Sequence, residues 1–265
     1  MEALRHYARL WFASARYSLV RTMMFRADFI MWSLVEIFWM VVNLMLIAVI
    51  YSHTESIAGW GPWEMTIIVG TSMLVQRLLM GFFWTNLFEM SRNVRSGHFD
   101  FFMAQPGWPL FMVSTRKIDL EGVINVPLAI AVIVFAAHKL GLHPSWLQIG
   151  CFSLFILCGL VIHYATLLFF VSLVFWMQSA HGIEHGYFGL NEFSRLPREA
   201  LKGIASVVFV YTLPVIIVTN VPARTLIHGP ELGPALWLFG AAVFWLAVAV
   251  TVFQRGIRRY SSASS

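Results

Sequence analysis

Residues 140 to 183 read LGLHPSWLQIGCFSLFILCGLVIHYATLLFFVSLVFWMQSAHGI, 44 consecutive positions without one Asp, Glu, Lys or Arg. A helix needs about 20 apolar residues to cross the hydrocarbon core of a bilayer. This run therefore holds a complete span with residues to spare. Other charge-free runs cover 18 residues at 37–54, 17 at 122–138, 21 at 203–223 and 23 at 232–254. Between Trp63 and Phe88, runs of 12 and 11 residues flank a single Arg77. Six transmembrane helices follow, over about 29–51, 64–87, 119–138, 146–176, 203–221 and 233–254.

The composition agrees. Of 265 residues, 59% are hydrophobic and 12% charged, where a soluble domain carries roughly 25% charged residues. An ordinary water-soluble globule is excluded. The net charge of +5 does not point to nucleic acid, because the basic residues alternate with long apolar tracts rather than clustering. Cys151 and Cys158 stand seven positions apart in one apolar run, share a helix face and stay thiols. Arg5, Arg9, Arg16 and Arg21 interrupt the place where a signal peptide would carry its apolar core.

Short loops left in the cytoplasm keep Lys and Arg, and translocated loops do not. With both termini cytoplasmic, the inner segments hold Arg5, Arg9, Arg16, Arg21, Arg26, then Arg92, Arg95, Arg116, Lys117, then Arg195, Arg198, Lys202, and finally Arg255, Arg258 and Arg259. The outer segments hold Lys139 and Arg224. The threading thus divides the chain into a cytoplasmic amphipathic interface helix at 1–26, an all-α transmembrane domain at 27–254 and a cytoplasmic tail at 255–265. On the first helix Arg5, Arg9 and Arg16 share one side, beside an apolar stripe of Leu4, Ala8, Trp11 and Ala15. Pro144, Pro214 and Pro222 mark breaks near outer ends, so the fifth span is expected to be short and to continue as a bent outer segment.

No G-x-x-x-x-G-K-[ST] phosphate cradle surrounds Lys117, Lys139 or Lys202. His181-Gly182-Ile183-Glu184-His185 fits the H-x-x-E-H spacing of a zinc site. Its glycines weaken the helix that would aim both rings, and no metal is expected in what reads as a solvated cytoplasmic loop. His163, deep in the fourth span, is expected to bond a neighbouring helix. Two charges inside spans carry more information, since a mid-membrane charge costs at least about 2.5 kcal/mol. Glu36 and Arg77 lie at similar depth on spans joined by a short connection, which predicts an ion pair. The alternative is an Arg77 that faces a cavity and attracts an anionic or amphiphilic substrate.

The inner loop at 89–118 contains Arg95-Ser-Gly97-His-Phe99-Asp100-Phe101-Phe102-Met-Ala-Gln105-Pro106-Gly-Trp108-Pro109. Aromatic side chains in a polar loop need burial somewhere. A short helix ending before Pro106 presents Phe99, Phe102 and Met103 on one side, either as a knob for a cytoplasmic partner or packed back onto the membrane domain.

At this loop the sequence resembles the six-helix branch of the ABC-2 type exporter permeases, once catalogued as a domain of unknown function. The Arg95 to Pro106 string is similar to that branch's R-x-G-x-L-D-x-x-L-x-x-P coupling helix. Ile57-Ala-Gly59-Trp60 resembles its outer turn. Pro214 to Ala223 resembles its P-x-x-F-x-x-x-x-P-A segment, and Arg258-Arg259-Tyr260-Ser-Ser262-Ala263 its R-R-Y-x-S-A ending. Phe99 replaces the usual leucine, Gln105 a commonly basic residue and Ile217 an aromatic one. The resemblance implies an ABC-2, type V-like exporter domain in a bacterial cytoplasmic (inner) membrane. It implies pairing with a second copy or a homologous permease and with a cytoplasmic ABC ATPase dimer, which supplies ATP-Mg chemistry. No enzyme activity and no cofactor are then expected in this chain. Gly97, Phe99, Asp100, Phe101, Phe102 and Pro106 would couple to the ATPase. Gln76, Phe83, Tyr211, Pro214 and Thr219, on the spans near the dimer axis, would line the path of an amphiphilic or lipid-like substrate. The rival classes are a membrane-embedded metal enzyme built on His163, His181 and His185, and a non-transporting scaffold or channel.

Overall fold

The structure, a computed structural model, describes residues 2–105, 107–177 and 181–260, without the side chains of residues 2–4, 181, 183–185 and 188. They form α1 (Glu2–Met24), α2 (Arg26–Tyr51), α3 (Pro62–Arg95), α4 (Phe99–Ala104), α5 (Pro109–Thr115), α6 (Leu120–Lys139), α7 (Trp146–Phe175), α8 (His181–Glu192), α9 (Ile204–Thr212), α10 (Ile217–His228) and α11 (Leu232–Arg259). Helices α2, α3, α6, α7 and α11 are each long and apolar enough to cross a membrane, whereas α9 and α10 qualify only as a pair. We call the end that gathers the 52–61, 140–145 and 229–231 connections outer. The end with residues 96–119 and the C-terminus is inner.

Local sequence sets the helix ends. Ser145 opens α7, its hydroxyl accepting from Gln148 N–H while Gln148 Oε1 accepts from Ser145 N–H at 2.8 Å. Pro62 starts α3, where its missing N–H costs nothing, and Glu64 reaches back to Gly61 N–H at 2.8 Å. Helix α3 widens into a π turn over Met80–Trp84. There the Gly81 carbonyl accepts Asp119 N–H at 2.8 Å. A Cβ on Gly122 would lie 2.5 Å from the Gly81 nitrogen, so α3 and α6 meet backbone to backbone at this level.

The core forms two clusters. One, in the outer half, joins Ile67, Ile68, Ile162, Ile216 and Val218. The other, in the inner half, joins Leu79, Leu87, Leu167, Leu168, Phe99 and Phe253. Helix α2 contributes a single buried residue, Ile47.

The fourth-to-fifth connection departs from the sequence expectation. It was expected to carry Arg195, Arg198 and Lys202 in the cytoplasm. Instead, α8 climbs from the inner end of α7. Its Tyr187 hydroxyl lies 2.7 Å from Nδ1 of His163, some twelve residues above the end of α7. Ser194 then meets Ser72, 2.7 Å away in the middle of α3. Glu199 reaches the outer end, where one carboxylate oxygen accepts Trp60 Nε1–H at 2.9 Å and the other pairs with Arg224 at 2.8 Å. Twelve residues of α8 rise roughly 18 Å, and the partly extended 193–200 segment covers the remainder.

The bend of the fifth apolar run is also sharper than expected. Leu213, held at φ −112° and ψ 87° ahead of Pro214, leaves the helical region, and α9 and α10 meet at 82°. A residue preceding proline is pushed out of the α region and proline has no N–H to donate. Helix α10 then runs outward from Val218, packed on Gly159 in mid-α7. It ends where Gln148 Nε2 donates to Thr225 and Leu226 carbonyls. The 203–228 stretch thus enters and leaves at the outer end, and the end-to-end passage belongs to 181–200.

Candidate functional site

Gly97, at φ 74°, turns the chain from α3 into α4. In α4 the four large side chains divide by direction. Phe99 is 0% and Phe102 5% exposed, whereas Phe101 is 67% and Met103 44% exposed. The Phe99 ring lies 5.4 Å from Phe175 and 5.2 Å from Tyr260, and the Arg116 guanidinium sits 5.4 Å over Phe102. Gly256 lets α11 close on the same cluster, since a Cβ there would meet Phe175 at 2.2 Å. The helix is therefore fastened to the inner ends of α7 and α11.

This corrects the expected knob. Phe99 and Phe102 do share a side, but that side faces the chain's own aromatic cluster, because burying two rings there removes them from water without any partner. Phe101 and Met103 are the side chains left facing outward. Asp100 is half-buried beside Tyr260. Burial pushes the Tyr260 phenol above its ordinary range, and the Asp100 carboxylate adds to the shift. Pro106 lies outside the described residues, as do the Ser262 and Ala263 of the C-terminal motif.

Helix α1 braces the inner loop from the other side. The Tyr7 hydroxyl accepts Trp108 N–H at 3.0 Å and its ring lies 4.7 Å from Phe111. Buried Ser18 accepts Ile118 N–H at 3.0 Å. The face turned inward carries Tyr7, Trp11, Ser14, Ala15 and Ser18, while Ala8 of the expected stripe is exposed and the side chain of Leu4 lies outside the described residues. Arg5, Arg9 and Arg16 all face solvent or lipid headgroups. Sequence analysis missed Tyr7 and Ser18, although their spacing with Trp11 and Ser14 is helical.

The structure brings Glu36 and Arg77 into direct contact, with side chains 22% and 10% exposed. Met40, Met73, Asn125, Leu128 and Ala129 close around the pair and leave a gap of only about 10 Å³. Arg77 therefore faces a carboxylate rather than an open cavity.

The path candidates scatter. Gln76 is half-buried next to Arg77 on α3, and Phe83 packs its ring 4.8 Å from Tyr164 in the inner half. Tyr211 lies at the outer end, 5.5 Å from Trp237 and hydrogen-bonded to Arg198. Pro214 is buried at the bend, and fully buried Thr219 donates to the Ser194 carbonyl. Sequence analysis also missed Asn220, which accepts Arg198 N–H at 2.8 Å and donates to Leu196 O at 2.9 Å, tying 196–198 to α10. His163 contacts Tyr187. Among the described residues no group of three or more His, Cys, Asp or Glu could hold a metal. The side chains of His181, Glu184 and His185 lie outside that description.

Long apolar helices, a polar-laced interior at 190–224 and a short inner helix anchored to two spans define a multi-pass helical membrane protein. The chain belongs to the ABC-2 transporter family: the family model described as ABC-2 family transporter protein matches residues 37–264. It is accordingly a permease subunit of an ABC transporter. A search of curated proteins and of solved structures found no match for the chain.

Proposed function

We propose that this permease exports an amphiphilic or lipid-like substrate from the cytoplasm or inner leaflet of a bacterial inner membrane. Two permeases, identical or homologous, pair and receive an ABC ATPase dimer on the inner face. ATP hydrolysis belongs to that partner. The inner end is cytoplasmic. With Arg77 and Arg195 within the membrane, twelve Lys and Arg remain on inner segments against Lys139, Arg198, Lys202 and Arg224 outside.

The observation that carries this reading is the division within α4. Phe99 and Phe102 lock the helix to α7 and α11, and Phe101, 67% exposed, projects from it. A partner that moves Phe101 moves the two spans with it, and transport requires that ATP binding favour one arrangement of the spans over another. An amphiphilic cargo is supported by the aromatic and aliphatic interior and by the occupation of Arg77 by Glu36. The domain division is kept, with residues 1–26 bracing the coupling loop at 89–118.

Purification of the tagged permease from its native membrane tests this reading. The expected result is co-purification of an ABC ATPase, lost in Phe101→Glu while the variant still inserts and stays folded. An ATPase retained by that variant at wild-type stoichiometry overturns the role of Phe101, and a permease that moves substrate unaided overturns the whole reading.

A further inference from the structure

A cleft of about 620 Å³ opens between α2, α3 and α6 in the outer half of the membrane domain. Leu44, Ile47 and Ala48 form one wall, Thr66 the floor and Val132 and Phe135 the other wall. Packed proteins keep few voids larger than a water molecule. An apolar cleft of this size, at membrane depth, needs an apolar filler. Helix α2 buries only Ile47, so the cleft communicates sideways with whatever surrounds the protein.

Its outer rim adds a charge. The Lys139 ammonium stands 5.9 Å from the Trp63 ring centre and 5.5 Å from that of Phe135, and both rings line the cleft. Among the described residues Lys139 has no carboxylate within ion-pair distance. The Tyr51 hydroxyl, the other polar group nearby, is already donated to the Trp60 carbonyl at 2.7 Å. A long apolar slot topped by one aromatic-flanked cation matches a molecule with an acyl chain and an anionic head.

We propose that this cleft is a binding site for an anionic phospholipid of the outer leaflet. One acyl chain lies between α2 and α6, and the phosphate of the headgroup faces Lys139. The lipid would fasten α2, which otherwise has few apolar contacts with the rest of the chain. The proposal does not depend on what the transporter carries or in which direction.

The test places the purified full-length chain in nanodiscs of equal phosphatidylcholine and phosphatidylglycerol. Native mass spectrometry then counts retained lipids and chains per particle. The expected result is one retained phosphatidylglycerol per chain, preferred about fivefold over phosphatidylcholine, the ratio one surface lysine supplies. Lys139→Gln should remove the preference, and Ala131→Trp, which fills the cleft from α6, should remove the retained lipid. A preference unchanged in Lys139→Gln overturns the headgroup assignment. Retention unchanged in folded Ala131→Trp overturns the site. A changed number of chains with unchanged lipid assigns the cleft to a second copy and also overturns it. Should Ala131→Trp fail to fold, Ala48→Phe fills the same space from α2 and is read by the same outcomes.

Discussion

Helices α2 and α10 form an instructive pair. Helix α2 is the longer and more apolar, yet Ile47 is its one buried residue. Helix α10 carries Thr219, Asn220, Pro222, Arg224 and Thr225, yet nine of its twelve residues are buried. In water the more apolar helix would occupy the core. In a bilayer lipid is as apolar as leucine, so hydrophobicity gives no reason to bury α2, while polar groups that cannot reach water must find partners within the protein. Accordingly α10 sits at the centre of a network running through Ser194, Leu196, Arg198 and Glu199. Among the described residues, the hydrogen bonds and ion pair that tie the α2 side chains to the rest of the chain are few: Glu36 to Arg77, Asn43 to Arg195 and Tyr51 to Trp60.

The contrast is broken most severely at the ion pair. Glu36→Lys places two cations in a nearly closed site, and removing one partner of a buried pair costs about 3–5 kcal/mol. The expected outcome is loss of assembled protein in the membrane, measured by detergent-resistant, monodisperse yield. Reversing Arg77 as well, to Glu, should recover most of it, and absence of rescue would show that the pair does not hold α2. The packing arm is nearly as large. Ile216→Ala, at a fully buried position beside α10, should cost about 2–5 kcal/mol. Leu46→Ala on α2, 61% exposed, should stay within about 0.5 kcal/mol. Reversible unfolding in mixed micelles measures both, and equal losses would erase the distinction between the two helices.

A third substitution probes the polar network. Asn220→Leu keeps the volume of the side chain and strips Arg198 N–H and Leu196 C=O of their partners, at about 1–3 kcal/mol for an orphaned buried group. Amide exchange over 194–200 should rise in the variant before the rest of the chain loosens. Protection unchanged there would place the strap's hold elsewhere.

Much of this was legible in the sequence. The run at 140–183 reads as a span by length alone, and α2 and α11 likewise. Glu36 and Arg77 stand out because charge inside a 20-residue apolar stretch is costly unless answered, and their depths match. The region 181–228 resisted. Asn191, Ser194, Arg195 and Glu199 read as solvated loop because polar residues between spans ordinarily are, and only the three-dimensional contacts reveal that they answer polar groups on α3 and α10. Pro214 gave the break, but not that both arms face one end. Phe99 posed the opposite difficulty. Its need for burial was plain, while the identity of the burying surface depended on Phe175 and Tyr260, which lie 76 and 161 residues further along the chain.

The finest test falls on the second tie of α2. Arg195 donates to Asn43 Oδ1 at 2.7 Å and pairs with Glu192 at the same distance. Asn43→Leu removes one neutral acceptor but leaves the guanidinium its carboxylate, so no buried charge is stranded. Interhelical hydrogen bonds of this kind average about 0.6 kcal/mol in membranes. The expected loss is of that size, small beside the ion-pair reversal, and a double-mutant cycle with Arg195→Leu should return a coupling energy of the same order. A coupling of several kcal/mol would instead make Asn43 and Arg195, rather than Glu36 and Arg77, the principal attachment of α2. The first span would then be held from the 190–200 strap, and a displacement of that strap would carry α2 with it.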